Sequence, residues 1–288
     1  MNATSRRRGS TLVGLIGEGI QESRTPAMHE AEAARQGLNL VYKLLDTAEM
    51  GSDPPALVDL VRYARLFRFS GLNVTYPYKQ EIIPLLDEMS DVAAAIGAVN
   101  TVVIRSGRLS GHNTDYWGFR ESFQSSMKGA LRDDVLLLGA GGAGAAVSVA
   151  LLDSGVGKLW IADVEPDRAA ALAEKLCEKH GAERAWPVSD LEAAAAEAEG
   201  IVNATPVGMA KLPGTPMPVE CLRPEQWVCD IIYFPMETAF LKAAQAKGCG
   251  VMNGAGMAVY QAVRAFELFT GADPEPAAMR RTFESFGG

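Results

Sequence analysis

The segment DDVLLLGAGGAGAAVSVALLDSG, which begins at Asp133, constrains the fold more than any other part of the chain. Residues 135–138 form an uninterrupted apolar run, as expected for a strand that is buried on both faces of a parallel sheet. Gly139, Gly141 and Gly144 follow in G-x-G-x-x-G spacing and lead into a stretch rich in Ala, Val and Leu. The sequence therefore predicts a strand, a glycine turn and a helix, in the order found in α/β folds.

A glycine turn of this kind has a chemical use at the start of a helix. Free backbone N–H groups and the helix dipole stabilise negative charge there, and the absence of side chains lets the pyrophosphate of a dinucleotide approach the backbone. The pattern alone also fits a tight turn that packs a helix on a strand. We predict that the turn binds a dinucleotide cofactor through Gly139, Ala140, Gly141, Gly142, Ala143 and Gly144.

An acidic residue after the next strand indicates which dinucleotide is bound. Asp163 lies 19 residues after Gly144, at the end of the predicted strand KLWIAD, where a carboxylate can accept hydrogen bonds from ribose hydroxyls. The same carboxylate would repel the 2′-phosphate of NADP, so we predict NAD as the cofactor. Asp163 also fits as the first residue of the DVEPDR turn, and Arg168 is close enough in sequence to meet a phosphate.

The chain before Asp115 alternates short apolar runs with helical stretches, which is typical of a second α/β unit. Strands are predicted at TLVGLIG, LVYKLLD and SGLNVTY, and helices at TPAMHEAEAARQG, PALVDLVRYARLF and SDVAAAIG. The segment VNTVVIRSGRLSGHN predicts a hairpin that turns at Ser106 and Gly107. Because the 288 residues are 48% hydrophobic and suffice for two cores, we predict an α/β protein of two domains.

Composition and charge exclude several classes of function. No apolar run approaches the roughly 20 residues that cross a bilayer. The run at 11–16, behind basic residues 6–8, is too short for a signal core and is followed by Glu18, so we expect a cytoplasmic protein. Four cysteines without C-x-x-C spacing and only three histidines argue against a metal site.

The net charge of −8 argues against a general nucleic-acid surface. It does not exclude a small anionic substrate, because the local charge of a pocket need not follow the sum over the chain. We therefore expect a small-molecule substrate, no nucleic acid and no membrane, with the protein a monomer or a homodimer.

One lysine lies where such an architecture would place a ligand. In GLNVTYPYKQ a strand is followed by Pro77 and then by Lys79, at the point where we expect a helix to begin. Ligands of α/β proteins bind at the carboxyl ends of strands, so Lys79 is a candidate for moving a proton during hydride transfer. A solvated surface lysine is the simpler interpretation of this residue alone. Two polar clusters, GAVNT at 97–101 and GHNTD at 111–115, lie in the same region and favour a site.

Seven motifs in order give the chain a specific resemblance to a known family. They are SRTPAMHE, NVTYPYK, GAVNTV, GHNTDYWGF, GAGGAG, NATPVGM and GAGMAVYQAVRAFELFTG. Together they resemble the successive signatures of shikimate dehydrogenase and its quinate-oxidising relatives, over residues 14–271. Each motif alone is a modest match, whereas their number and order make the resemblance specific.

The resemblance implies a domain organisation and a branch of the family. It implies a substrate-binding catalytic domain at 1–115 that is completed by C-terminal helices at 253–288, with a Rossmann NAD-binding domain at 116–252. Thr25 stands where many members carry serine, and ADVEPDR replaces the basic NRT type of segment that grips the phosphate of NADP. Both departures resemble the NAD-dependent quinate/shikimate branch.

The resemblance also implies roles for particular residues. The match to NVTYPYK implies that Lys79 is the catalytic lysine, and the match to GHNTD implies that Asp115 is its partner beside the C3 hydroxyl of the ring. Whether Lys79 acts as a neutral base or as a stabilising cation stays open. The other matched positions imply binding of the ring hydroxyls by Thr75, Asn100 and Gln261, of the carboxylate by Ser23, Thr25 and Tyr233, and of the cofactor by Thr205 and Gly254.

Simpler interpretations of the same residues stay open. Thr25 fits an N-cap before Pro26, and Asp115 fits a cap for a helix that begins at Tyr116. Gln261 fits a partly exposed helix residue. Tyr76 and Tyr116 are possible discriminators of ring substituents, with core packing as their simpler use.

Three other functions share features with this sequence. A close relative that acts on an amino-substituted shikimate or quinate would need only a small change in the pocket. A binding-only metabolite sensor would be favoured by loss of Lys79 or Asp115, and both residues are present. Methylenetetrahydrofolate dehydrogenase shares the two-domain plan and a catalytic lysine, but the GHNTD and SRTPAMH matches oppose it.

Overall fold

Two six-stranded sheets organise the part of the chain that the structure, a computed structural model, describes. The described residues are 10–286, so the basic residues at 6–8 lie outside them. The contacts divide the chain into two compact units. Of the described residues, the first contains 10–94, Ala98–Thr114 and 262–286, and the second contains Ala95–Gly97 and Asp115–Gln261. The α/β class is confirmed, whereas the limits of the ligand-binding domains stay a prediction.

The elements are numbered in chain order. The strands are β1 (Thr11–Gly17), β2 (Leu40–Asp46), β3 (Gly71–Val74), β4 (Glu88–Met89), β5 (Thr101–Arg105), β6 (Arg108–His112), β7 (Asp134–Leu138), β8 (Lys158–Ala162), β9 (Ala185–Pro187), β10 (Gly200–Asn203), β11 (Trp227–Asp230) and β12 (Gly250–Met252). The helices are α1 (Thr25–Arg35), α2 (Leu57–Leu66), α3 (Asp91–Ile96), α4 (Thr114–Ser126), α5 (Gly142–Asp153), α6 (Pro166–His180), α7 (Leu191–Glu197), α8 (Ala239–Ala246), α9 (Ala255–Thr270) and α10 (Pro276–Glu284).

The sheet of the first unit has the strand order β2-β1-β3-β5-β6-β4. β1 is parallel to β2 and β3, whereas β5 is antiparallel to β3. The carboxyl ends of β1, β2 and β3 and the beginning of β5 therefore meet at one edge, which we call the first-sheet edge. Its core includes Ile16, Leu72 and Val102, which are fully buried.

The sheet of the second unit is parallel throughout, with the order β12-β11-β10-β7-β8-β9. From the other side this reads 3-2-1-4-5-6, the strand order of the doubly wound dinucleotide-binding fold. The carboxyl ends of all six strands lie at one edge, which we call the second-sheet edge. β7 is buried from Val135 onwards, as its apolar sequence predicts for a central parallel strand.

The predicted hairpin is confirmed in detail. Strands β5 and β6 pair from Thr101 opposite His112 to Arg105 opposite Arg108. The turn residues Ser106 and Gly107 have φ angles of 52° and 79°. Two consecutive positive φ angles match the right-handed twist of paired strands, which explains why a Ser-Gly pair is found here.

The expected helix at Lys79 is wrong. Residues 76–82 form successive turns, and only a short 3-10 helix, Ile83–Leu85, follows them. The Lys79 carbonyl accepts a hydrogen bond from Val99 N at 2.8 Å. In an α-helix the same carbonyl would accept from the N–H four residues later, so this long-range bond replaces a helical one. Pro84 supplies no N–H to continue a helical ladder.

The starts of two helices differ from the simpler interpretations of Thr25 and Asp115 as caps. Helix α1 begins at Thr25 itself, and its N-cap is Arg24, whose side chain makes no capping hydrogen bond. Helix α4 begins at Thr114, so Asp115 lies within its first turn rather than before it. Neither side chain is therefore explained as a cap. Among residues 10–286 no helix combines the length and the apolar composition that crossing a membrane requires.

Candidate active site

Four predicted site residues lie at the first-sheet edge, three after strands that end there and one before a strand that begins there. Ser23 lies in the loop after β1, Thr75 and Lys79 lie in the loop after β3, and Asn100 directly precedes β5. The order β1-β3-β5 makes these loops neighbours. Two backbone hydrogen bonds join the first two loops: Thr75 N donates to Ile16 O at 2.9 Å, and Glu18 N donates to Tyr76 O at 3.1 Å.

The loop after β1 presents two hydroxyl residues in one turn. Ser23 N donates to Ile20 O at 3.0 Å, and Ser23 Oγ accepts from Thr25 N at 3.4 Å. Both residues are half-buried. This arrangement places two hydroxyl donors two residues apart at the start of a helix, which suits recognition of a carboxylate.

The orientation of the Asn100 amide is fixed by its neighbours. Its Oδ1 atom accepts from Thr114 N at 2.7 Å and from Thr101 Oγ1 at 3.0 Å. Thr101 is held in turn by Asn73 Nδ2 at 2.9 Å, and Tyr42 Oη donates to Asn73 Oδ1 at 2.7 Å. Its Nδ2 atom donates to Thr114 Oγ1 at 3.0 Å. The oxygen is therefore occupied by donors, and the amide nitrogen keeps one N–H that can serve a ligand.

The glycine turn at the second-sheet edge fits a pyrophosphate. Gly139 has a φ angle of 100°, which favours glycine, and a Cβ at Gly144 would overlap the Gly139 carbonyl oxygen. A Cβ at Gly141 would meet nothing within 4 Å, so open space lies at the N-cap of α5. That N-cap makes no side-chain hydrogen bond. The first N–H groups of α5 can therefore receive an anionic group, as the sequence predicts.

Asp163 directly follows β8 and connects two parts of this edge. Its Oδ2 atom accepts from Ala140 N at 2.7 Å, and its Oδ1 atom accepts from Glu165 N at 2.9 Å. The carboxylate therefore both supports the glycine turn and closes the turn after β8. Each oxygen keeps a second lone pair with which it can accept from a ribose hydroxyl.

Arg168 lies in the first turn of α6 and pairs with a glutamate. Its Nη2 atom is 2.9 Å from Glu165 Oε1, and both side chains are 58% exposed. An exposed pair of this kind contributes little to stability. Because Glu165 and Arg168 carry opposite charges, the pair adds little net charge beside the turn that begins at Asp163.

The loop after β10 lies against the glycine turn. A Cβ at Gly139 would come within 2.9 Å of the Ala204 backbone. Thr205 Oγ1 donates to Asn203 Oδ1 at 2.7 Å and accepts from Val207 N at 3.1 Å. Thr205 thus shapes this loop beside the predicted cofactor turn.

A buried carboxylate holds the loop after β11, which carries Tyr233. Asp230 accepts from Asn203 Nδ2 at 3.1 Å, from Ile232 N at 3.0 Å and from Thr238 Oγ1 at 2.7 Å. Burial raises the pKa of Asp230, and these three hydrogen bonds act in the opposite direction. Tyr233 itself is 44% exposed.

Gly254 and Gln261 are placed by close backbone packing. A Cβ at Gly254 would overlap the Ile231 carbonyl oxygen, so this glycine packs against the loop after β11 just before Tyr233. A Cβ at Gly118 of α4 would come within 2.7 Å of Gln261 N. Gln261 is half-buried, and its Nε2 atom donates to Ala258 O at 3.0 Å.

Tyr116 packs inside the second unit, which is the simpler of the two uses considered for it. Its side chain is 8% exposed, and its Oη atom donates to Asp153 Oδ2 at 2.7 Å. Burial, together with this hydrogen bond, raises the pKa of Tyr116 to about 12. Asp115, its neighbour in α4, is also only 8% exposed.

The sequence patterns did not identify several residues that hydrogen-bond to the loops of the candidate site. Asp46, Thr47, Thr114 and Asp230 make buried hydrogen bonds to loops that carry predicted site residues. The available signal was an acidic residue directly at the carboxyl end of an apolar strand, as in LVYKLLD and QWVCD.

The strand order and the glycine turn define the second unit as a Rossmann-type dinucleotide-binding unit. Comparison with known families gives three matches along the chain. The family described as "Shikimate dehydrogenase substrate binding domain" matches residues 15–102, "Shikimate / quinate 5-dehydrogenase" matches 121–211, and "Shikimate 5'-dehydrogenase C-terminal domain" matches 254–282.

Similar proteins cover nearly the whole chain. A quinate/shikimate dehydrogenase (NAD(+)) of Corynebacterium efficiens is 48% identical over 96% of this chain and 98% of its own. A shikimate dehydrogenase (NADP(+)) of Streptomyces avermitilis is 49% identical over 97% of both chains. The solved quinate dehydrogenase from Corynebacterium glutamicum in complex with NAD is 48% identical, with a TM-score of 0.92 over 96% of this chain and 99% of its own. This chain belongs to the shikimate dehydrogenase family.

Proposed function

We propose that this protein is an NAD-dependent dehydrogenase that oxidises the C3 hydroxyl of quinate and shikimate. The observation that carries the substrate side is the grouping of hydroxyl, amide and lysine residues in adjoining loops at the first-sheet edge. Relatives that are named for quinate and shikimate support it at 48% identity.

The choice of NAD rests on Asp163. Its carboxylate follows β8 and is anchored to the glycine turn through Ala140 N at 2.7 Å, so it cannot easily swing away from a bound ribose. A 2′-phosphate there would meet a carboxylate, with Glu165 nearby and paired to Arg168. Relatives of similar identity include NADP(+) enzymes, so this residue, rather than overall similarity, decides the proposal.

The substrate carboxylate is assigned to Ser23, Thr25 and Tyr233. Ser23 and Thr25 lie in one hydrogen-bonded turn, which fixes their spacing before a ligand arrives. Preorganised donors of this kind bind an anion without a further cost of ordering the loop.

The ring hydroxyls are assigned to Thr75, Asn100 and Gln261. Because Thr114 N and Thr101 Oγ1 occupy the Asn100 oxygen, Asn100 donates to a ring oxygen through the amide N–H that is not bonded to Thr114 Oγ1. A donor can serve both the hydroxyl of the substrate and the ketone of the product, since both oxygens accept.

Lys79 and Asp115 are assigned to the reacting C3 hydroxyl. NAD, when bound, supplies the acceptor for the hydride that leaves C3. Lys79 holds the hydroxyl oxygen and receives or relays its proton, and Asp115 orients the hydroxyl and balances the charge. Positioned acid–base groups of this kind contribute about a hundredfold or more to the rate.

A panel of substrates tests the proposal. Purified protein is supplied with quinate, shikimate and their amino analogues, each with NAD and with NADP, and formation of the reduced cofactor is followed by absorbance. Quinate and shikimate should both be oxidised, because they share the carboxylate and the hydroxyls that the assigned residues read. Turnover of an amino analogue alone, with neither parent acid oxidised, would overturn the proposal, and so would binding without turnover of any substrate.

A further inference from the structure

A buried carboxylate at the end of β2 lies beside the first residues of the loop that carries Ser23 and Thr25. Asp46 is 3% exposed and stands opposite Gly17, the last residue of β1, in the parallel pairing. Its side chain reaches over the loop that leaves β1. No role was assigned to this residue from the sequence.

All four hydrogen bonds to this carboxylate come from the two loops beside it. Asp46 Oδ1 accepts from Gly19 N at 2.8 Å and from Ala48 N at 3.2 Å. Asp46 Oδ2 accepts from Ile20 N at 2.9 Å and from Gln21 Nε2 at 2.8 Å. Each oxygen therefore receives two donors, which only a carboxylate can accommodate.

The bonds continue from Asp46 to both hydroxyl residues. Asp46 fixes Ile20 through its N–H, the Ile20 carbonyl accepts from Ser23 N at 3.0 Å, and Ser23 Oγ accepts from Thr25 N at 3.4 Å. The chain of contacts is short and local. Displacement of residues 19–20 would therefore move both hydroxyls together.

The neighbouring Thr47 links the same strand end to the lysine loop. Its Oγ1 atom donates to Gly17 O at 3.2 Å and accepts from Tyr78 Oη at 3.1 Å. Tyr78 precedes Lys79, and Tyr78 N donates to Thr75 O at 2.9 Å. The end of β2 thus contacts both loops of the first-sheet edge.

We propose that Asp46 is the positioning residue for recognition of the substrate carboxylate: it holds the loop after β1 so that Ser23 and Thr25 present their hydroxyls together. The inference rests on the proposed function, which makes these two residues carboxylate ligands. Burial alone would raise the pKa of Asp46, but the hydrogen bonds from Gln21, Gly19, Ile20 and Ala48 outweigh it and lower the pKa. The carboxyl group is therefore charged at neutral pH.

The direction in which Asp46→Asn changes KM for quinate distinguishes loss of charge from loss of loop geometry. An amide nitrogen in place of either oxygen would face two N–H donors, so at least two of the four bonds are lost. Removal of a negative charge would by itself favour an anionic substrate, whereas loss of the loop geometry disfavours it. We expect KM for quinate to rise about tenfold, kcat to change less than about threefold, and KM for NAD to stay unchanged, because the lost binding is common to ground and transition states.

A matched control and a smaller perturbation accompany this variant. Glu49→Gln removes the same charge from the same segment at an exposed position and should leave KM near the wild-type value. If Asp46→Asn does not fold, Gln21→Ala removes only one of the four hydrogen bonds from an exposed residue and should raise KM about two- to threefold in the same direction.

A double-mutant cycle separates positioning from general stability. If Asp46 acts through Ser23, then Asp46→Asn should lower kcat/KM by less than about threefold in a Ser23→Ala background, against about tenfold in the wild type. Equal effects in both backgrounds, or a fall in kcat with KM unchanged, would overturn the inference while leaving the proposed function intact. Wild-type protein that oxidises neither quinate nor shikimate would overturn both.

Discussion

At the scale of single residues, the second-sheet edge shows how one carboxylate can set cofactor choice. Asp163 is bound to Ala140 N and to Glu165 N, so its position is determined before a cofactor arrives. Under the proposed function, its charge acts on whatever occupies the 2′ position of the ribose. A like charge brought close in a partly desolvated site costs several kcal/mol.

Replacement of this carboxylate should therefore narrow the cofactor preference. Asp163→Asn removes the charge and places an amide nitrogen opposite one of the two backbone N–H donors, Ala140 N or Glu165 N. We therefore expect kcat/KM with NAD to fall and kcat/KM with NADP to rise. We expect their ratio to shrink by about tenfold or more, which corresponds to about 1.4 kcal/mol. Steady-state kinetics with quinate measures the ratio. Asp167→Asn, an exposed change in the first turn of α6, is the charge-matched control and should leave the ratio unchanged.

The proposed pair at the reacting hydroxyl gives a second prediction. Lys79→Ala and Asp115→Ala should each lower kcat by about a hundredfold or more, because each removes a positioned group that acts in the transition state. Circular dichroism and thermal unfolding check that the fold survives. Turnover near the wild-type value in either variant would remove that residue from the mechanism.

His29 of α1 links stability to pH. Its ring is fully buried against Tyr42, Phe266 and Phe269, with ring centroids 5.0, 5.7 and 5.9 Å away. Neither ring nitrogen has a hydrogen-bond partner among the described residues. Burial lowers the pKa of His29 from 6.5 to about 3. The folded protein therefore holds this histidine neutral where the unfolded chain would protonate it.

The sign of the pH dependence follows from the lowered pKa. The stabilising contribution of the neutral histidine is complete above about pH 6.5 and is lost as the pH falls toward about 3, at up to about 1.4 kcal/mol per pH unit. Wild-type protein should lose about 2 kcal/mol more than His29→Leu between pH 7 and pH 5, measured by urea unfolding. If the free energy of unfolding changed equally with pH in the two proteins, His29 would not be the source of the pH dependence.

At the scale of elements, helix α4 packs closely on α9 at Gly118. A Cβ there would come within 2.6 Å of Met257 O and 2.7 Å of Gln261 N, so an added side chain forces the helices apart. The absence of a side chain at Gly118 therefore allows Gln261 to lie close to α4. The same contact couples the stability of the second unit to a predicted substrate residue.

Gly118→Ala tests this packing. Alanine favours a helix by about 1 kcal/mol over glycine, whereas overpacking costs about 1–3 kcal/mol, so we expect net destabilisation together with a higher KM for quinate. Denaturant unfolding and steady-state kinetics measure the two effects. Gln124→Ala, on the exposed face of α4, should change neither. A more stable Gly118→Ala variant with unchanged KM would show that the helices have room to adjust.

The elements that the sequence predicts well are those whose signal is local. The apolar run of β7, the Ser106-Gly107 turn and the glycine turn all follow from neighbouring residues, and the structure confirms them. The helix expected at Lys79 was wrong because a distant partner, Val99 N, occupies its carbonyl. Pattern alone cannot show such a contact.

The same limit applies to the residues that support the site. The motifs name side chains that would touch ligands, such as Ser23 and Asn100. Asp46 and Thr101 lie behind these side chains. The hydrogen bond that Asp46 accepts from Ile20 N joins segments far apart in sequence, and the hydrogen bond that Thr101 donates to Asn100 Oδ1 faces inward. Their importance depends on strand order, which becomes visible only in the folded chain.

At the scale of the whole molecule, the two units present different chemistry. The first-sheet edge presents hydroxyls, an amide and a lysine, whereas the second-sheet edge presents backbone N–H groups and the Asp163 carboxylate. The net charge of −8 gives no general attraction for an anionic substrate. Under the proposed function, recognition of a carboxylate therefore depends on local donors, for which Ser23 and Thr25 are the candidates.

The proposed function requires this chain to oxidise quinate and shikimate with NAD. The most direct test is the ratio of kcat/KM for NAD and NADP in the wild-type protein, measured with saturating quinate and then with saturating shikimate. We expect NAD to be favoured by about a hundredfold or more with both acids, equivalent to about 2.7 kcal/mol or more. Equal kcat/KM for the two cofactors, or no oxidation of either acid with NAD, would contradict the proposed function.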